Sequence, residues 1–349
     1  MAAEQPDLPP TNSGESADLS EPVDVDETGS PDLADAAPPR EIMPLALPVA
    51  PEYDGWRLDH FLKHRIRRLS RTKIRTIIET QVWLSNGRQP RPAMSVHTGD
   101  TIHLDRPAPI EPDVPRDFPI LASDAHFMAI DKPAGLPMHT TAKFWKNTLV
   151  AILRERYPEE GLQICHRIDR ETSGVLLIAR NRDAASFLKR AFASRLVKKT
   201  YLALVHGTPD PPAGVIDAPM RLIECKSHLM MGVEPDGLPA VTRYQVHTAF
   251  ANHSLVEASP ETGRQHQIRV HLAHLGHPIV GDKLYGASEQ AFMDYCDTGL
   301  TSELLELFDG LPRHALHAAR LSFPHPVTKE MITVESPLPA DLDDYIKGL

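Results

Sequence analysis

From residue 126 onward, short strand-like runs follow one another with little room between them, and this restricts the fold more than any other feature. HFMAI (126–130), GVLLIA (174–179), TYLALVHG (200–207), AVTRYQVHTAF (240–250), SLVEAS (254–259), AARLSF (318–323) and MITVES (331–336) are mostly enriched in Val, Ile, Tyr or Phe. Parallel neighbours need a crossover of about a dozen residues or more, usually a helix. Helical periodicity is clear only at 147–157 and at 182–196, where Phe187, Leu188, Ala191, Phe192 and Leu196 share a face. A third, short helix is expected where Ile268, Leu272 and Leu275 form an i, i+4, i+7 stripe. Gly276 stands there as its C′ residue, and Pro278 blocks continuation. The class is therefore α+β, a mixed, mostly antiparallel sheet with flanking helices. No internal repeat is visible.

At 349 residues and 41% hydrophobic, the chain can bury a sizeable core in more than one domain. No apolar run approaches the ~20 residues that span a bilayer, and the N-terminus lacks the basic and apolar regions of a secretory signal, so a cytoplasmic location is expected. Cys165, Cys225 and Cys296 are odd in number and widely spaced, which suggests neither a disulfide framework nor a zinc site. The net charge of −10 resides in residues 1–50, which carry eleven acids and one base, while the rest holds 36 of each. That segment is rich in Pro, Ser, Asp and Ala without apolar periodicity and is read as a disordered acidic tail, with order starting near Tyr53. A small domain over 53–106, a Pro-rich linker over 107–120 and a large domain over 121–349 complete the expected organisation.

In the small domain, Leu58, Phe61, Leu62, Ile66 and Leu69 recur at helical spacing. Ser70 then caps a second helix with an apolar face of Ile74, Ile77 and Ile78. VWLSNGRQ reads as a strand entering an Asn-Gly turn, and HTGDTIHL as another turn and strand. Between 57 and 75 stand eight bases and a single acid, Asp59. A solvated helix face usually mixes its signs, so phosphate binding by Arg57, Lys63, Arg67, Arg68, Arg71, Lys73 and Arg75 is the better account. RLDHFL, LSRTKIRTIIE, VWLSNG and GDTI together resemble, in order, the α+β RNA-binding module named after ribosomal small-subunit protein S-four.

HRIDRETSGVLLIAR (166–180) sets one carboxylate, Asp169, between Arg167 and Arg170, follows it with a Thr-Ser-Gly turn and enters an apolar strand. A lone acid in a loop ordinarily pairs with a base or caps a turn. HRIDRETSG, however, resembles the signature of the RluA family of pseudouridine synthases. KKTYLALVHG, ETGRQHQIRVHLAHLGHPIVGDKLYG, LHAARLSFPHPVT and DKPAGLPMH are similar to that family's other landmarks, so that the resemblance covers nearly all of 53–340. Gln265 departs from it, standing where the family usually has a small hydroxyl residue.

The resemblance implies isomerisation of uridine to pseudouridine in RNA. The base is cleaved from the ribose, turned, and rejoined through carbon five, without a cofactor. It implies Asp169 as the essential carboxylate, Arg269 as its ion-pair partner, and Tyr201 stacked on the base and assisting its final deprotonation. Arg167 would contact the backbone or fill the stack around a flipped uridine, and His166 and Arg264 would contact substrate. The arginines flanking Asp169 are expected to hold and ionise it. Ribosomal RNA of the large subunit is the first expected target and transfer RNA the second, with a monomeric chain. Two rivals differ in kind: a non-catalytic RNA-binding or ribosome-assembly protein, and a hydrolase using Ser173, which lacks the G-x-S-x-G elbow. His266, His271, His274 and His277 lack the spacing and companion acid of a metal helix and are read as hydrogen-bonded polar side chains, with no metal.

Overall fold

The computed structural model describes residues 42–66, 69–107, 111–141, 143–225, 227 and 229–349. The chain divides into two compact units, the second beginning at Glu111. The first unit is built from β1 (Ile42–Pro48), α1 (Leu58–Arg65), α2 (Arg71–Thr80), β2 (Val82–Leu84) and β3 (Thr101–Pro107). Its sheet runs β1-β3-β2, antiparallel throughout. Ser70 caps α2 by accepting from the Lys73 backbone N–H, and Ile74, Ile77 and Ile78 are buried with Leu58, Phe61 and Leu62 of α1, as their spacing predicts.

Strand β1 corrects the expected boundary. Order begins at Ile42, inside the segment read as an acidic tail, because Leu45 and Leu47 face Leu104 and Ile102 across the ladder and Leu47 is buried. Pro44 and Pro48 make this stretch look unfit for a strand. An edge strand tolerates them, because the missing N–H can face solvent. The rest of the expected tail lies outside the described residues.

The second unit contains β4 (Ile120–Ser123), β5 (Phe127–Lys132), α3 (Leu149–Arg156), β6 (Gln163–Ile164), β7 (Ser173–Ala179), α4 (Arg182–Ala193), β8 (Lys198–His206), β9 (Ala213–Asp217), β10 (Met220–Leu222) and β11 (Met231–Val233). It continues through β12 (Val241–Ala249), β13 (His253–Pro260), α5 (Gln267–His274), α6 (Glu289–Thr298), α7 (Ser302–Leu307), β14 (Leu316–Pro324), β15 (Met331–Glu335) and α8 (Ala340–Lys347). Its main sheet follows the order β4-β5-β7-β14-β8-β13-β12-β9, with β15 on β14 and β6 on β7. Among the described residues only β7 and β14 pair in parallel, so the sheet is mixed and mostly antiparallel, as the strand succession predicts.

The central strands are buried on both faces, which explains the unbroken apolar run of β7. Leu176 and Ile178 join the core that holds Leu149, Ile152 and Leu153 of α3 and Ile268 and Leu272 of α5. Val175, Leu177 and Ala179 meet Ala184, Ala185, Leu188 and Ala191 of α4 on the other side. Leu196 does not share that face. Helix α4 stops at Ala193, and Leu196 is exposed.

The parallel contact between β7 and β14 depends on Gly174, which sits at φ +109° opposite Ala318. A Cβ there would stand 2.3 Å from the Ala318 carbonyl oxygen. Gly174→Ala is therefore expected to destabilise the fold by about 3 kcal/mol or more, from backbone strain and overpacking together. Urea unfolding would show it, and an unchanged midpoint would remove the proposed clash.

Candidate active site

Asp169 lies in the loop between β6 and β7, which is closed by a Thr172 N–H to Asp169 carbonyl bond of 3.1 Å. The loop is clamped from beneath by Lys132 at the end of β5. Its fully buried ammonium donates to the carbonyls of Pro133 (2.7 Å), Leu136 (3.0 Å) and Arg170 (3.1 Å). Burial pulls this amine down to about 7. Before the loop, the His166 ring stacks on Phe192 at 4.6 Å, and its Nε2 accepts the Leu177 N–H. That bond requires the Nδ1–H tautomer; burial first, then the charge of Lys199, lowers the ring to about 3.

The guanidinium that grips Asp169 comes from α5. Arg269 Nη1 donates to Asp169 Oδ2 at 2.9 Å, while its Nε and Nη2 donate to the two oxygens of Asp282 at 2.7 and 2.8 Å. Asp282 has no exposed side-chain surface and also accepts the N–H groups of Leu284 and Tyr285. Arg269 is thus a rigid bridge between two carboxylates. Burial pushes the Asp169 carboxyl upward, but His266, Arg269 and His314 outweigh it and hold the group at about 2. His266 and His314 themselves fall to about 4, burial being the main cause, so at neutral pH the guanidinium is the cation that keeps Asp169 ionised. Asp169 Oδ1 meets no donor among the described residues.

The arginine beside Asp169 in sequence does not share this task. Arg170 Nη2 bonds Glu171 at 3.2 Å and the Tyr295 hydroxyl at 2.9 Å, and Arg167 is exposed, its side chain making no hydrogen bond or ion pair among the described residues. The expectation that the flanking arginines ionise the acid is therefore corrected. The turn that follows Asp169 carries the Arg170 side chain toward α6, and Arg269 takes its place from one hundred residues away.

In front of Asp169 opens a cleft of about 460 Å³, which falls within the ordinary range for small-molecule sites. Asp169, Tyr201, Arg269, Arg167, His166 and Arg264 all line it, so six residues picked from three separate motifs meet at one place. Tyr201, on β8, is nearly buried; burial and the charge of Asp169 raise its phenol well above the usual range. The neutral phenol offers a ring face and a proton, and it is a poor base in this state. The 261–266 loop is held by Gln267, whose Oε1 accepts from Thr262 Oγ1 and the Arg264 N–H, while its Nε2 donates to the Val241 carbonyl and to Thr242.

Several supporting groups escaped sequence reasoning. His266 lines the cleft in a left-handed conformation (φ 56°), with Nδ1 2.8 Å from the Tyr285 hydroxyl. That hydroxyl also accepts the Met231 N–H. Asp282, in VGDKLYG, carried one usable signal, an acid immediately preceded by apolar residues and a glycine. His271 is satisfied by Thr242 Oγ1 and the Ala218 carbonyl, and His277 by the His206 carbonyl, as read from sequence.

His314, 2% exposed, bonds Thr172 Oγ1 at 2.8 Å behind the loop. Unfolded, such an imidazole titrates near 6.5; folded, it does so near 4. Above pH 6.5 both states are neutral. As the pH falls the unfolded chain binds the proton first, so stability is lost between about 6.5 and 4, by roughly 3 kcal/mol for this group. Urea midpoints at pH 7, 5.5 and 4.5 should fall more steeply in the wild type than in His314→Gln; equal slopes would contradict the assignment.

The comparisons with known proteins agree with this geometry. The family model described as RNA pseudouridylate synthase matches residues 126–274, which span Asp169, Tyr201 and Arg269. The chain is 36% identical over 302 residues to ribosomal large subunit pseudouridine synthase D of Xanthomonas campestris pv. campestris, covering 84% of this chain and 89% of that protein. It is 32% identical over 305 residues to ribosomal large subunit pseudouridine synthase C of Vibrio cholerae, covering 84% and 92%. The solved structure of human RNA pseudouridylate synthase domain containing 4 superposes with a TM-score of 0.51 at 30% identity, over 65% of this chain and 91% of that one. No helix among the described residues is long and apolar enough to cross a membrane. A cleft-facing carboxylate held by a buried guanidinium, in a chain 32–36% identical to these synthases over most of its length, places the chain in the RluA family of RNA pseudouridine synthases.

Proposed function

We propose that this enzyme isomerises uridines of large-subunit ribosomal RNA, with Asp169 as the reacting carboxylate. The observation that carries the reading is an ionised Asp169 with one oxygen fixed by Arg269 and the other without a donor, at the floor of a cleft that can admit a nucleoside. The target class is drawn from the relatives, which are named for the large ribosomal subunit.

A uridine inside a helix cannot reach the cleft, so it is flipped out. The free Asp169 oxygen then either adds to the ribose C1′ or removes the proton at C2′, and in both routes the bond from C1′ to uracil N1 breaks with its electron pair staying on the base. The base turns and C5 attacks C1′. The C5 proton leaves, N1 gains one, and the carboxylate is restored. Tyr201 packs on the uracil ring and keeps it in place while it is detached. With its phenol proton held tightly, it takes up the C5 proton only after losing its own. Arg167 and Arg264 meet the anionic backbone at the cleft, and His166 supports the wall by bracing Phe192 and β7.

In the first unit, Arg71 and Lys73 are exposed on α2 and available to phosphates. Arg57 and Arg75 are exposed too, but each meets an acid, Asp59 at 2.6 Å and Glu79 at 3.2 Å. Lys63 is half-buried and donates to the Leu69 carbonyl, while Arg67 and Arg68 lie outside the described residues. We read this helix pair as an accessory RNA-binding surface.

The test is to incubate the full chain with an unmodified large-subunit ribosomal RNA transcript and to map pseudouridines chemically, beside Asp169→Asn. Discrete sites formed by the wild type alone support the reading. Modification of transfer RNA in place of ribosomal RNA would overturn the target, and no modification of either would overturn the assigned activity.

A further inference from the structure

We propose that Arg195 is an RNA phosphate ligand at the mouth of the cleft, a position that its backbone would otherwise reserve for glycine; this rests on the RNA substrate proposed above. Helix α4 ends in a Schellman cap. The Leu196 N–H bonds the Ala191 carbonyl at 2.9 Å, and the Arg195 N–H bonds the Phe192 carbonyl at 3.1 Å. Arg195 is the C′ residue, at φ 58°. The same cap closes α5, where His277 bonds Leu272 and Gly276 bonds Ala273, and there the C′ residue is a glycine at φ 90°. The left-handed region is strained for any residue with a Cβ. Helix α5 uses the unstrained solution; α4 does not, and neither does α7, whose C′ residue Asp309 (φ 59°) accepts the Gly281 N–H through its side chain.

Folding does not account for the difference. Arg195 is exposed, and its side chain makes no hydrogen bond or ion pair among the described residues. Yet it lines the cleft that holds Asp169. Strain kept in an exposed, cleft-lining residue whose side chain has no polar partner among the described residues is the pattern of a functional position.

The charges around it favour an anion. Arg167, Arg195 and Arg264 line the cleft, and none is paired with a carboxylate among the described residues. The two acids there are both occupied, Glu261 by Arg243 at 2.7 Å and Asp169 by Arg269 at 2.9 Å. The lining therefore carries surplus positive charge, and the abundant anion on the proposed substrate is the phosphodiester. A planar guanidinium suits it. Arg195 comes from the end of α4, Arg167 from the β6–β7 loop and Arg264 from the loop before α5, so three separate elements bring these groups to one cleft.

Arg195→Gly provides a discriminating test, because it relieves the backbone while removing the charge. With the full chain and an unmodified large-subunit ribosomal RNA transcript, dissociation constants are measured at several salt concentrations beside kcat and KM. Arg195→Gly is expected to keep or raise the urea midpoint, to weaken binding and raise KM by about 3- to 10-fold, and to reduce the salt slope by about one. Arg195→Lys should recover most of the affinity and the slope. An Arg195→Gly chain with wild-type affinity and slope would overturn the proposal, and so would affinity lost only in step with a lower urea midpoint. The target reading fails separately, if the wild type forms no pseudouridine in the transcript, and the salt slope still decides the part played by Arg195.

Discussion

Asp169→Asn is expected to abolish pseudouridine formation while the chain stays folded and keeps its grip on RNA. The amide is nearly isosteric with the carboxylate and still offers Arg269 Nη1 an oxygen in place of the 2.9 Å partner it loses. The buried pair of Arg269 with Asp282 remains, so no charge is orphaned. What disappears is the second ionised oxygen, which both routes of glycosidic cleavage need. Removing the reacting group of an enzyme typically lowers turnover by on the order of 10⁴- to 10⁶-fold. Binding should hold or tighten, because one negative charge leaves a cleft that receives a polyanion. Single-turnover assays with an unmodified large-subunit ribosomal RNA transcript, beside direct binding measurements, separate the two effects. Turnover within tenfold of wild type would remove Asp169 from the chemistry.

Arg269→Met is expected to damage stability and catalysis together, for reasons that a second substitution can pull apart. Asp282 has no exposed side-chain surface, and without the guanidinium it keeps only the N–H groups of Leu284 and Tyr285. Leaving one member of a buried ion pair uncompensated costs about 3–5 kcal/mol. The double variant Arg269→Met/Asp282→Asn removes that orphaned charge and keeps an amide oxygen for the two N–H groups, so most of the stability should return. Activity should not. Burial, which pushes the Asp169 carboxyl upward, is then no longer opposed by Arg269, and nothing fixes its rotamer. The rate should fall by about 10²- to 10³-fold in both variants, the loss expected when a preorganised charge is taken from a dry site. In the double variant the residual rate should also gain an acid limb at a higher pH than in the wild type, whose Asp169 stays ionised down to about 2. Recovery of activity along with stability would show that Arg269 serves the fold alone.

Much of this protein could be read from short-range pattern. The Ser70 cap with Ile74, Ile77 and Ile78, the unbroken run from Val175 to Ala179, and the stripe ending at Gly276 depend on periods of two or 3.6 residues and on the backbone freedom of glycine, all of them local. The close succession of strands also announced a mostly antiparallel sheet. Edge status was not local. Pro44 and Pro48 are acceptable in β1 because it lies at the margin of its sheet, and no window of residues shows which strand will have only one neighbour.

The site divides the same way. Asp169, Tyr201 and Arg269 could be picked from their motifs, but their grouping around one cleft belongs to the topology that sets β8 and β13 beside the β7–β14 pair. Adjacency in the chain pointed to the flanking arginines as partners for Asp169 and the family resemblance to Arg269; the folded protein supplies Arg269, aligned by Asp282, and turns Arg170 to Glu171 and Tyr295. Local sequence determines which backbone shapes are affordable at each position. Which charges share a water-poor volume, and so which acid stays ionised, is decided only when residues a hundred positions apart are packed together.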